Sequence, residues 1–150
     1  MNYRTLTGQA EELLNTEPWY VAAFSNLSSL IMESLPDLNW AGFYVMRDGQ
    51  LTVGPFQGKP ACIHIAPGKG VCGTAAVRNE TVRVPDVHQF PGHIACDGAS
   101  ASEIVIPVHE NGRVRAVLDI DSPVKDRFSE EDQAGLEALV RTVENAVRWD

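Results

Sequence analysis

EIVIPVHENGRVRAVLDID, Glu103 to Asp121, is a pair of apolar runs folded about a turn signal, and the alignment of its two halves decides the fold. A two-residue turn at Asn111-Gly112 would set Ile104, Ile106 and Val108 opposite Asp119, Val117 and Arg115, and so put charge on the apolar face. A three-residue loop, Glu110 to Gly112, closed by a glycine bulge, instead pairs Ile104 with Leu118, Ile106 with Ala116 and Val108 with Val114. The second alignment is expected, because it makes one face continuously apolar. On the other face it sets Glu103 across from Asp119, with Asp121 two residues along and Arg113 and Arg115 further down the same side.

Working outward, Trp40–Met46 and Leu51–Phe56 read as a second hairpin about Asp48-Gly49, a strong two-residue turn signal. Further strands are expected over Lys59–Ile65 and Thr81–Val84, with a short helix from Val71 to Arg78. Apolar residues recur at helical spacing over Leu6–Asn15 and Pro18–Leu35, with Thr16 a candidate cap and Pro18 suited to a first turn. At the other end Ser129 is the expected N-cap of a helix with Glu130, Glu131 and Asp132 in its first turn and Leu136, Leu139, Val140, Val143 and Val147 on one stripe. No repeat, linker or low-complexity tract divides residues 1–150, so one domain is expected. Strands joined by hairpins rather than by alternating helices predict an α+β fold, a roughly six-stranded antiparallel sheet flanked by N- and C-terminal helices.

Twelve Lys and Arg against twenty Asp and Glu give a formal charge of −8, which repels nucleic acid and anionic membranes. No stretch reaches the ~18 apolar residues of a membrane helix, and the first residues lack a signal-peptide pattern, so the expected location is cytoplasmic. Cys62, Cys72 and Cys96 form no Cys-x-x-Cys pair and are expected as thiols in a reducing compartment. The stretches GPFQGKPA and PGKGVCGT fail the phosphate-loop spacing, and the zinc-deaminase signature is absent. Zinc held by His93, Cys96 and a third residue stays open.

The three facing carboxylates allow two readings: a solvated outer face, or a site for an ammonium group or metal, since like charges opposed on a sheet want a cation, a shared proton or water. Alternation on the first strand puts Trp40, Gly42 and Tyr44 on one face, either as plain core or as a pocket wall in which Gly42 leaves room between two aromatic rings. Among the cysteines, Cys62 lies in the alternating ACIHI and reads as a buried strand residue. Cys72 falls in the first turn of a short helix, where backbone amides favour thiolate. Cys96 sits in FPGHIACDGAS, a loop punctuated by Pro91, Gly92 and Gly98, where a reactive thiol is at least as well placed as a structural one.

NWAGFYV, GKGVCGTAAV, VPDVHQFPGHIACDGASASEIVIPV and VLDIDSP, in that order, resemble the free methionine-(R)-sulfoxide reductases, enzymes built on a GAF domain. The resemblance runs from Trp40 to the C-terminal helix. It implies a sheet with helices on one side, a substrate pocket on the other, and commonly a homodimer. It implies Cys96 as nucleophile, Cys62 or Cys72 as resolving thiol with Cys62 favoured, and Trp40, Tyr44, Glu103, Asp119 and Asp121 as substrate-binding residues. The activity so implied is thiol-dependent reduction of free methionine sulfoxide through a cysteine sulfenic acid and an intramolecular disulfide, with thioredoxin as reductant and no metal or organic cofactor. The rival from another class is a non-catalytic GAF module that binds a small molecule or senses redox state.

Overall fold

The computed structural model describes residues 2–93 and 98–150. Two helices, α1 (Tyr3–Thr16) and α2 (Tyr20–Ser34), precede the hairpin of β1 (Trp40–Arg47) and β2 (Gln50–Gly58). The short β3 (His64–Ile65), helix α3 (Gly70–Arg78) and β4 (Val82–Val84) follow, then the hairpin of β5 (Ser102–Glu110) and β6 (Arg113–Ser122), and finally α4 (Glu130–Ala146). The strands form one sheet in the order β3-β2-β1-β6-β5-β4, every neighbouring pair antiparallel. This is the expected α+β architecture.

Alternation along the strands divides the core into two layers. Ala41 and Phe43 of β1, Ile104, Ile106 and Val108 of β5, and Ala116, Leu118 and Ile120 of β6 face α1, α2 and α4, where Phe24 of α2 stacks on Phe43 at 3.8 Å between ring centroids. Trp40, Tyr44, Val105 and Val117 point the other way and pack with α3 and β3. Helix α4 opens on the expected cap: Ser129 Oγ accepts from the Asp132 amide, and the Asp132 carboxylate accepts from the Ser129 amide. No helix is long and apolar enough to cross a membrane, among the described residues.

Four local expectations are corrected. Both hairpins close on two-residue turns with positive φ at Asp48 (52°), Gly49 (80°), Asn111 (53°) and Gly112 (78°), and each then takes a bulge. In the β5–β6 pair the bulge lies between Val108 and His109, so Ile104 pairs with Ile120, Ile106 with Leu118 and Val108 with Ala116. Glu103 therefore faces Asp121, and Asp119 faces Val105; the apolar face is kept but the acidic partners exchange. Arg115, the residue the bulge leaves over, donates to the Met46 carbonyl and lies over the Trp149 ring instead of continuing the acidic row.

The strand expected over Lys59–Ile65 shrinks to His64–Ile65. Pro60 has no amide to give a ladder, and the Lys59 carbonyl is taken by the Trp40 indole. Thr16 ends α1 instead of capping α2, its hydroxyl donating back to Glu12, while Asn2 caps α1. Pro18 lies ahead of α2, and its carbonyl accepts from the Arg148 amide. The sheet ends on short strands, β3 of two residues and β4 of three, and the Pro55 carbonyl in β2 accepts from Ser28 Oγ of α2.

Candidate active site

On the face away from α1, α2 and α4, side chains from β1, β5, β6, α3 and the segments beside them enclose a pocket. Its aromatic wall comes from β1. Trp40 and Tyr44, two turns of the pleat apart, stack at 5.8 Å, and Trp40 stacks on Phe56 of β2 at 5.0 Å. The Trp40 indole N–H donates to the Lys59 carbonyl at 3.1 Å, which fixes the ring. Gly58, opposite Trp40 in the ladder, has φ 137°, and a Cβ there would stand 2.6 Å from Trp40 Cδ1. Gly42 does not leave an open space as expected: a Cβ there would collide with the Phe56 Cβ, and the Trp40 and Tyr44 rings stack directly on each other. The wall is thus a three-ring stack, fixed by two glycines.

The floor is acidic. Glu103 leaves β5, and Asp119 and Asp121 leave β6, all toward the pocket, with Glu103 only 8 % and Asp119 5 % exposed. The solvated-face reading is therefore overturned for these two. Among the described residues neither forms an ion pair with Lys or Arg. Burial first, and then the charges of Asp119 and Asp121, push the Glu103 carboxyl well above its ordinary range. Burial also raises Asp119, although hydrogen bonds from Glu103, Cys72 and Asp121 favour its ionised form. Of the two, Glu103 is the carboxyl that burial and its acidic neighbours most favour in the protonated form. Asp119 Oδ1 is buried with no hydrogen-bond partner among the described residues.

Cys72 lies in the first turn of α3, as expected, and is a free, buried thiol lining the pocket. The expectation of thiolate fails. Burial, followed by the charges of Asp119, Glu103 and Asp121, pushes the thiol well above its ordinary range, and the helix amides do not offset three nearby carboxyls. Its Sγ and one carboxylate oxygen each of Glu103 and Asp119 lie within 4.8 Å of one another. Cys62 is not a buried strand residue: it sits half-buried in the segment between β2 and β3 and is disulfide-bonded. Cys96 lies outside the described residues, and with it the expected nucleophile and any zinc set built on His93 and Cys96. His93 reaches the pocket rim, its basicity lowered by burial and by His88.

Pro60, Ala61 and Ser100 also line the pocket and were not expected. Ser100 Oγ accepts from Asn39 Nδ2 at 3.1 Å, tying the segment before β5 to the residue before β1. Sixty-one positions separate them, and no local pattern signals the contact.

Residues 22–148 match the GAF domain family. The chain belongs to the GAF domain family. This GAF domain is 49 % identical over 145 residues to the free methionine-R-sulfoxide reductase of Escherichia coli, covering 97 % of the chain and 88 % of the relative. It is 48 % identical over 132 residues to the Saccharomyces cerevisiae protein of the same name, covering 83 % and 73 %. The GAF domain also superposes on the fRMsr of Staphylococcus aureus in complex with substrate with a TM-score of 0.93 at 48 % identity, covering 98 % and 96 %.

Proposed function

We propose that this GAF domain is an oxidoreductase that reduces free L-methionine-(R)-sulfoxide to methionine. One observation carries the reading: buried carboxyls of β5 and β6 lie under a wall of stacked aromatic rings, with no Lys or Arg side chain in an ion pair with Glu103 or Asp119 among the described residues. Such a floor suits an ammonium group, and the Trp40–Tyr44 wall suits a methyl-sulfur end. The names of the relatives support the substrate and its R configuration.

In the proposed reaction the Cys96 thiolate attacks the sulfoxide sulfur, and Glu103, holding a proton, gives it to the sulfoxide oxygen. Oxygen passes to the cysteine as sulfenic acid and methionine leaves with its sulfur reduced. A second thiol displaces the sulfenic oxygen as water and forms a disulfide, which an external dithiol of the thioredoxin class reduces by exchange. Cys62, in a disulfide and half-buried, suits the resolving role; Cys72, buried, free and held as a thiol, does not. Asp119 and Asp121 pair with the substrate ammonium.

The test compares free methionine-(R)-sulfoxide with its N-acetyl form. Acetylation removes the cationic nitrogen and leaves buried carboxyls unmet, about 1 to 3 kcal/mol for each lost partner. A fall in kcat/KM of ~10-fold or more is expected. Equal values for the two compounds would remove the ammonium role from this floor.

A further inference from the structure

The proposed chemistry leaves Cys72 unused, although its sulfur lies within 4.8 Å of a carboxylate oxygen of Glu103 and of Asp119 in the pocket floor. We propose that this floor is a Zn2+ site, with Cys72 Sγ, one Glu103 oxygen and one Asp119 oxygen as ligands, and that zinc bound there excludes the ammonium group of the substrate. The first half stands on geometry alone; the second rests on the function proposed above.

Three elements supply the three donors, α3, β5 and β6, and their residues are only 4 %, 8 % and 5 % exposed. The donor atoms already lie within 4.8 Å of one another. Around tetrahedral zinc, with bonds of about 2.3 Å to sulfur and about 2.0 Å to oxygen, neighbouring ligand atoms stand roughly 3.3 to 3.5 Å apart. Small side-chain rotations close that difference, since all three side chains already line one pocket.

A second sign is Asp119 Oδ1, buried in the pocket lining with no hydrogen-bond partner among the described residues. A buried carboxylate oxygen left unpaired is destabilising unless a cation or donor meets it. The donor set then selects the metal. A sulfur ligand disfavours Mg2+ and Ca2+, which take oxygen alone, whereas one sulfur and two oxygens with an open fourth position suit Zn2+. On binding, the thiol proton and any proton shared between the two carboxyls pass to solvent, Zn–S and Zn–O bonds form, and no electron moves. The dication replaces those protons in offsetting the repulsion among the carboxyls, and it stands where the ammonium would. Zinc here is an inhibitor and not a cofactor.

The experiment titrates Zn2+ into the fully reduced chain, freed of thiol reductant, by calorimetry, with Co2+ as a spectroscopic probe of sulfur ligation. A Cys62→Ser/Cys96→Ser chain is run in parallel, because reduced thiols elsewhere also take zinc. Expected are one Zn2+ per chain in both, a cobalt–thiolate charge-transfer band in both, and no uptake of Mg2+. Cys72→Ser, Cys72→Ala and Asp119→Asn, each made in the Cys62→Ser/Cys96→Ser chain and confirmed folded by circular dichroism, should weaken zinc binding at least tenfold, and the two Cys72 variants should lose the band. Saturating free methionine should raise the apparent Kd for zinc at least tenfold. Loss of zinc uptake in the Cys62→Ser/Cys96→Ser chain, or a band that persists in both Cys72 variants, overturns the site. Zinc that binds but ignores methionine overturns the exclusion. These readouts need no turnover, so absent reductase activity would sink the proposed function and leave the metal site to be decided by binding.

Discussion

Glu103 and Asp119 are two of three carboxyls crowded into one buried floor, and crowding of like charge is a burden on the empty fold. Replacing either by its amide removes one member of the repelling set without changing its shape. Glu103→Gln and Asp119→Asn are therefore expected to hold or raise the melting midpoint while kcat/KM for methionine sulfoxide falls ~10-fold or more, about 1.4 kcal/mol. Melting and turnover measured on the same preparations decide this, and unchanged turnover in both variants would refute the role of the floor. The cysteines make a second residue-level pair. Cys62→Ser is expected to keep turnover with dithiothreitol and lose at least half of it with thioredoxin, while Cys96→Ser loses turnover with either reductant. A Cys72→Ser chain that shows the thioredoxin defect in place of Cys62→Ser would reassign the resolving thiol.

At the scale of elements, the two hairpins share one device: a tight turn with two left-handed residues, followed by a bulge. In β5–β6 the two-residue turn alone would have mated apolar with charged positions. Sequence reasoning resolved that conflict by lengthening the loop; the protein keeps the turn and adds a residue at the Arg115 bulge. Either solution gives the same apolar face, so the layer and the convergence of Glu103, Asp119 and Asp121 were legible while the pairing was not. The β1–β2 bulge brings Phe56 opposite Gly42, where a plain two-residue hairpin would bring Pro55, and so the third ring of the wall was missed. Helix α4 was legible down to its cap, because Ser129 and its first-turn acids act over three residues. The thiol state of Cys72 was not legible, since it depends on carboxyls more than thirty positions away. Two predictions belong here. Gly42→Ala forces Phe56 off Trp40 and is expected to cost about 1 to 3 kcal/mol of stability and raise KM more than it lowers kcat, read by denaturant titration and steady-state kinetics. Ser129→Ala should cost about 1 kcal/mol, with turnover unchanged.

For the whole molecule the buried acids set a slope of stability against pH. Above the ordinary carboxylate range the folded chain keeps protons on Glu103 and Asp119 that the unfolded chain has released, so their contribution is full in acid and is lost as pH rises through their raised folded values. Asp132 acts oppositely. Against a burial penalty, the Ser129 amide and the Tyr3 hydroxyl hold it low, so its contribution is present at neutral pH and lost in acid. The gain in melting midpoint from Glu103→Gln is accordingly expected to be larger at pH 8 than at pH 5, as thermal melts of both chains at each pH will read. A gain that is equal at both, or reversed, would mean that Glu103 is not the proton holder.

The sheet margins have a consequence for life in a crowded solution. A long, flat strand with unspent amides and carbonyls invites a neighbouring chain to add itself in register. Here β4 offers three residues and β3 two, and further along β2 the proline at 55 has no amide to lend while its carbonyl is already engaged by α2. A second molecule meets no sustained backbone template at either border, so self-recognition through strand addition is frustrated at both ends of a protein whose middle strands are rich in Val and Ile.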